Sequence, residues 1–327
     1  MEYAIAVILA LVGLAIFVAI VSLGRMFMRG ITRAAEVPPE RPSFDDVEVS
    51  GGPVGVDELV YLYAHEFTRP RTAVGPALPR DRFYSPLNDA ELDADELTNQ
   101  LLYVALCELH RGEYIDFRAV ERPPTYLPPF PQKKWELQLR RLRRLPDCPI
   151  CGALGVGFDL ARKRLVAKQQ PVDEKALWVS LDELVERALK SIRQELNFWE
   201  RTGVHGDLRN YVASSLIARG YLIAAQKDTW LDKVRTKRPA ANTRAIETLA
   251  DEAESLKRRL RAFREEHGSE AAQVFDPRAH IQDNVDPTLM DAERELDDLP
   301  IDDCLRTSIY ETLMSLKQLE PSGEPGV

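Results

Sequence analysis

Twenty consecutive residues near the amino terminus, Ala4 to Leu23 (AIAVILALVGLAIFVAIVSL), carry no charge and a single hydroxyl, Ser22. A helix of that length, rising about 1.5 Å per residue, covers about 30 Å, the thickness of a bilayer's hydrocarbon core. A helix is also the one local structure that satisfies all its own backbone groups there. The flanks favour a retained anchor over a secretory signal. Met1-Glu2-Tyr3 places no basic side chain ahead of the run, and Leu23-Gly24-Arg25-Met26-Phe27-Met28-Arg29 offers no small-residue cleavage pattern. Arg25, Arg29 and Arg33 lie just beyond it, and positive charge is retained on the cytoplasmic side. The expectation is a single-pass protein of the cell membrane, amino terminus outside, with its large carboxy-terminal part in the cytoplasm.

The 327 residues leave room after such an anchor for one large domain or two small ones. A net charge of −9 disfavours a general affinity for nucleic acid or anionic lipid over the whole surface. The four cysteines, Cys107, Cys148, Cys151 and Cys304, are too few and too irregular for a disulfide framework, and reduced thiols fit a cytosolic body.

The rest reads as a mainly α body with two winged-helix-like repeats and short β-hairpins. Residues 1–24 form the membrane helix with its short amino terminus, and residues 25–55 a basic stop and a flexible linker rich in proline, glycine and acid. Residues 56–122 are the first winged-helix-like unit. Asp57 and Glu58 stand in the first turn of a short helix, where acids complement its dipole. A stronger helix runs from Asp95 to Arg111, with Leu97, Leu101, Val104 and Leu109 at helical spacing and Gly112 as its cap. Tyr114-Ile115-Asp116-Phe117 then alternates like a strand. Residues 179–267 repeat this plan and add a long amphipathic helix. Val54-Gly55-Val56-Asp57-Glu58-Leu59-Val60 matches Val179-Ser180-Leu181-Asp182-Glu183-Leu184-Val185, and Tyr103-Val104-Ala105 with Arg111-Gly112 matches Tyr211-Val212-Ala213 with Arg219-Gly220 at the same spacing. Ser180 and Glu183 form a capping box, ahead of an apolar face of Leu181, Leu184, Val185, Ala188, Leu189 and Ile192. Residues 268–300 are an acidic mobile segment, 301–319 a carboxy-terminal helix that docks back, and 320–327 a disordered tail.

Between the repeats, residues 123–178 hold a basic amphipathic helix and a Cys-Pro-Ile-Cys connector. In KKWELQLRRLRRL a helix places Trp135, Leu139 and Leu142 on one face and Lys133, Lys134, Arg140, Arg141, Arg143 and Arg144 around the rest. These cations are the candidate site for anionic phospholipid headgroups, at about 1 kcal/mol per basic residue near a surface. Nucleic acid is the alternative ligand, and a solvated helix the bland one. Ile246, Leu249, Ala253, Leu256, Leu260 and Phe263 follow a short a/d pattern. It suits a homodimer seam through 246–263 or packing within the chain.

Catalytic chemistry is not nominated. Cys148 and Cys151 would need Cys107 and His110 to complete a zinc site, a spacing that fits no common finger. A redox role wants C-x-x-C after a strand and opening a helix, whereas a basic helix is expected to precede it here. Two reduced cysteines in a packed turn are the leading reading, with no metal. Gly152, Gly155 and Gly157 lack the dinucleotide and P-loop orders and read as small-residue packing. His65, His110, His205, His267 and His280 are scattered, and neither H-E-x-x-H nor G-x-S-x-G occurs. No catalytic residue and no cofactor are assigned.

Leu109-His110-Arg111-Gly112, and later Leu208-Arg209-Asn210-Tyr211-Val212-Ala213-Ser214-Ser215-Leu216-Ile217-Ala218-Arg219-Gly220-Tyr221-Leu222, resemble the Golgi phosphoprotein 3 family and its bacterial relatives. The likeness covers Asp57 to Leu260 in outline. It implies a mostly helical protein that binds phosphatidylinositol 4-phosphate and acts as an adaptor rather than an enzyme. Of the family's phosphate-binding side chains Arg209 alone has a matching position; the others fall near Leu92 and Leu101 and on Val212. The functional expectation is a membrane-anchored cytosolic binding or adaptor module for a protein partner, assisted by anionic lipid. A membrane-tethered winged-helix regulator of nucleic acid is the alternative, and an enzyme comes third.

Overall fold

The computed structural model describes residues 49, 53–71, 82–121, 135–167, 177–197, 200–223, 240–269, 276–279, 281 and 299–319. Helix α1 (Val56–Leu62) begins where the Glu58 carboxylate accepts the Gly55 N–H at 2.7 Å, and it runs through Tyr63 into the short α2 (Ala64–Phe67). Strands β1 (Arg82–Tyr84) and β2 (Glu91–Asp93) pair antiparallel, Phe83 opposite Leu92. They deliver the chain to α3 (Ala94–Arg111), whose start is fixed by Asp93 accepting the N–H groups of Asp95 and Glu96, both at 3.0 Å. Leu97, Leu101, Leu102, Val104, Leu106 and Leu109 are buried along it, so α3 is the axis of the core.

After Gly112 and the left-handed Glu113 (φ 57°) the chain enters β3 (Ile115–Glu121). It pairs antiparallel with β4 (Trp135–Arg141), which pairs on its other side with β5 (Trp178–Ser180). The expected basic amphipathic helix is corrected here, since Trp135–Arg141 is the central strand of this sheet. Trp135, Leu137 and Leu139 recur every second residue and face the core, while Leu142, which the helical reading needed, is 39% exposed. Phe117 opposite Leu139, and Val179 beyond it, fix the register.

Helix α4 (Pro149–Ala167) opens on a proline, whose missing N–H costs nothing in the first turn. It packs on α5 (Leu181–Glu195), which starts at Ser180, whose hydroxyl accepts the Glu183 N–H at 3.3 Å, and buries the apolar face expected of it. Gly157 permits the close approach: a Cβ there would lie 3.0 Å from the Leu184 carbonyl and 2.9 Å from its Cδ1. Helix α6 (Val204–Ala218) then turns through Gly220 at φ 82° into β6 (Leu222–Ile223), paired with β7 (Ala240–Ala241). The order of helix, glycine and antiparallel strand pair thus occurs twice, and the matched residues Gly55 and Ser180 both sit at the N-cap of their helix.

Helices α7 (Thr243–Glu247), α8 (Ala250–His267) and α9 (Ile301–Leu319) close the core. Ile246, Leu249, Ala253, Leu256, Leu260 and Phe263 are all buried, and α8 packs on α1, α3 and α9, so the a/d pattern is consumed within the chain. Helix α9 is tied to α3 by the Tyr103 hydroxyl, which donates to Asp302 at 2.6 Å.

Among the described residues no helix is long and apolar enough to cross a membrane. This corrects the expected fold class with its transmembrane helix, and with it the single-pass, membrane and cytoplasmic assignments. The longest helices all carry charges: α4 turns from Phe158 to Asp159, Arg162, Lys163 and Arg164, and α8 is charged along its outer face. The stretch Ala4 to Leu23 lies outside the described residues, as do residues 320–327 and most of 25–55 and 268–300.

Candidate functional site

The cations expected to form one anion-binding face are dispersed by the strand. Lys133 and Lys134 lie outside the described residues. Arg140 pairs with Asp116 across the ladder at 2.7 Å and lies 4.7 Å from the Trp178 ring, which Arg118 also approaches, at 4.2 Å. Arg141 pairs with Asp159 of α4 at 2.8 Å. Arg143 donates to the Gly112 carbonyl and lies 4.3 Å from the Tyr114 ring. Arg144 is exposed in the following loop. Arg209, the position carried from the resemblance, is only 8% exposed. It donates to the Ala94 carbonyl and, at 3.0 Å, to the Thr98 hydroxyl, tying α6 to the first turn of α3. Its role here is to join two helices.

The zinc alternative is also corrected. Cys148 and Cys151 are joined by a disulfide, so the expected reduced pair is absent and their sulfurs are committed to each other. Cys107 is buried on α3, where burial and the nearby Asp302 push its thiol well up. His110 packs against Phe117, with ring centroids 4.9 Å apart, and burial holds its imidazole below the ordinary value. Among the described residues no group of three or more His, Cys, Asp or Glu side chains is placed to hold a metal ion.

What the fold does assemble is a polar cleft of about 500 Å³ between α2, the exposed face of α8 and residues 276–278. Leu256 and Leu260 point into the core, which turns Lys257, Arg258 and Arg261 outward at helical spacing. Arg278 closes the far side. Lys257 bridges Glu66, at 3.0 Å, and Glu254. Arg258, Arg261 and Arg278 are exposed. Four cations therefore share the lining with Glu66, Glu254 and Asp276.

His65 also lines the cleft, its Nδ1 3.1 Å from the Ser85 hydroxyl and its Nε2 3.8 Å from Glu66. Burial lowers its pKa, with Glu66 opposing the shift and Arg278 and Lys257 adding to it. Ser, His and Glu in this order invite comparison with a hydrolytic triad. Ser85 is only 1% exposed, so its hydroxyl does not front the cleft. Sequence reasoning missed these residues. The pair Lys257 and Arg261, four apart opposite a buried stripe, was the available signal, whereas Arg278 comes from a segment without periodicity.

Comparison of the chain with family models, with curated proteins and with solved structures gives no match.

Proposed function

We propose that this chain is a binding module whose ligand is an acidic segment of a partner protein, received in the cleft between α2 and α8. The observation that carries this reading is the convergence of Lys257, Arg258, Arg261 and Arg278 on one concave surface of about 500 Å³. Pockets for small apolar ligands fall in the same size range but are lined mainly by hydrophobic and aromatic side chains. Here the lining is charged, and exposed guanidinium groups suit carboxylates through paired hydrogen bonds.

The burial of α3 speaks against groove reading by the first helix-glycine-strand unit, because a groove-reading helix must present its side chains to the duplex. The burial of Ser85 speaks against acyl transfer in the cleft.

Isothermal titration of the full chain with a glutamate-rich peptide, repeated over a salt series, tests the proposal. Binding that weakens as salt rises is expected. It should fall about tenfold or more in the double variant Arg258→Glu/Arg278→Glu, about 1.4 kcal/mol or more, and persist in Arg144→Glu. No saturable binding, or equal losses in both variants, would defeat the reading.

A further inference from the structure

The Cys-Pro-Ile-Cys sequence follows strand β4, in place of the expected basic helix, and opens helix α4, the context a redox cysteine pair requires. Cys148 precedes the first helical residue, Pro149, its carbonyl accepts the Gly152 N–H at 2.7 Å, and its sulfur is bonded to that of Cys151. Cys148 is 8% exposed and Cys151 1%. The loop leading to Cys148 is exposed at Leu142, Arg143, Arg144, Pro146 and Asp147, so the approach is to Cys148.

A buried carboxyl stands at this helix start. Asp57 is fully buried; its Oδ1 accepts the Glu58 N–H at 3.0 Å and its Oδ2 the Ile150 N–H at 2.6 Å. One side chain thereby closes the amino-terminal ends of α1 and α4 together. It also adjoins the disulfide: a Cβ built on Gly55 would lie 2.7 Å from both Asp57 Oδ1 and Cys148 Cβ.

As a staple the bridge does little, because it closes a loop with a sequence separation of 3 and the entropy removed from an unfolded chain is smallest for short loops. As a redox pair it has the required parts. An amino-terminal helix end stabilises a thiolate on Cys148. The partner cysteine is held in bonding distance, and the Asp57 carboxyl adjoins Cys148 and accepts the N–H of Ile150, which lies between the two cysteines.

We propose that Cys148 and Cys151 form a dithiol–disulfide exchange site that passes two electrons between this chain and a protein dithiol, with Asp57 as the buried proton carrier.

In the reducing direction a thiolate of the dithiol attacks Cys148 Sγ and the bond to Cys151 Sγ breaks. The departing Cys151 thiolate takes the proton of the Asp57 carboxyl. The second thiolate of the dithiol then attacks its own sulfur in the mixed disulfide and releases Cys148 as a thiolate. The dithiol leaves as a disulfide, the chain holds the reduced pair, and Asp57 regains a proton from solvent. Asp57 suits this role because burial pushes its carboxyl up to about 7, with Glu58 adding to the shift and the Ile150 N–H opposing it. The other charged or titratable groups near it are Arg219 at the end of α6, which pairs with Glu58 at 2.6 Å, Tyr211 on α6, and Asp147 ahead of α4.

The test uses the full chain with insulin as the disulfide substrate and dithiothreitol as the reductant. The chain is expected to accelerate insulin reduction. Cys148→Ser abolishes the acceleration, and Cys151→Ser stops turnover while holding a mixed disulfide with an insulin chain at Cys148. Asp57→Asn slows exchange by at least about tenfold at neutral pH and removes an inflection near 7 from the rate profile. A merely structural carboxyl would leave that profile unchanged. Alkylation of the wild-type chain under native conditions gives a readout that needs no variant. If the bond resists dithiothreitol until denaturant unfolds the chain, or if it is reduced without any acceleration of insulin reduction, the proposal is overturned. The cleft proposal is unaffected by either result.

Discussion

Gly55→Ala separates two kinds of glycine argument by the sign of its effect. The backbone at Gly55 lies at φ −67° and ψ 157°, an extended conformation that alanine adopts freely. On backbone entropy alone the substitution stabilises by about 0.4–1 kcal/mol, and the weaker N-cap quality of alanine offsets about that much. Local terms therefore nearly cancel, and packing decides. The new methyl would lie 2.7 Å from Cys148 Cβ, 2.7 Å from Asp57 Oδ1 and 3.2 Å from Glu58 Oε2. Ordinary contact between carbons needs about 3.5–4.0 Å, so the methyl must gain close to an ångström. Cys148 Cβ cannot yield easily, since its sulfur is tied to Cys151 and its carbonyl to the helix start, and the Asp57 carboxyl is held by two N–H groups. Overpacking against anchored neighbours costs about 1–3 kcal/mol. Urea unfolding of the oxidised chain, followed by circular dichroism, should show a lower midpoint with an unchanged slope. Adding Cys148→Gly, which removes the opposing carbon, should recover part of the difference. A midpoint equal to or above that of the wild type would refute the close approach of α1 to the start of α4.

Two glycines of α4 should move stability in opposite directions in the same assay. Gly152→Ala, whose Cβ would meet nothing within 4 Å, stabilises by up to about 1 kcal/mol, while Gly157→Ala, whose Cβ would meet the Leu184 carbonyl at 3.0 Å, destabilises by about 1–3 kcal/mol. Arg209→Met should lower stability by about 2–3 kcal/mol through loss of its bonds to the Ala94 carbonyl and Thr98, with peptide binding in the cleft unchanged by titration. The stability of Asp57→Asn relative to the wild type should depend on pH. With the folded carboxyl raised to about 7, the wild type holds its full advantage below its ordinary pKa near 4 and loses roughly 1.4 kcal/mol per unit as pH rises towards 7. His205→Gln should behave oppositely: burial lowers that imidazole to about 4, so the wild type loses ground as pH falls from about 6.5 towards 4, and a parallel pair of pH curves would contradict the assignment.

The elements legible in the sequence are those whose signal is local. The stripe Leu97, Leu101, Val104 and Leu109 along α3, Ser180 ahead of α5 and the six buried positions from Ile246 to Phe263 are set by neighbours three and four residues away, and each stands where its periodicity puts it. Trp135 to Arg141 satisfies two periods at once, and the choice between them lies with Phe117 and Val179, which no window along the chain contains. The cleft is equally non-local, since Arg278 meets Arg258 only after the chain has turned back from α8. The same holds for the cysteine pair, since the buried Asp57 reaches the Ile150 N–H between them from 93 residues away in sequence. The internal repeat shows what this non-locality does. Asp57 and Asp182 occupy the same position in the matched segments, and both stand in the first turn of their helix. Asp182 stays exposed and accepts the Thr312 hydroxyl from α9, whereas Asp57 is sealed in by the start of α4. What each acid can do follows from the third element laid across it, so two copies with matching local sequence come to hold an ordinary helix-docking contact in one case and a buried, protonatable carboxyl beside a disulfide in the other.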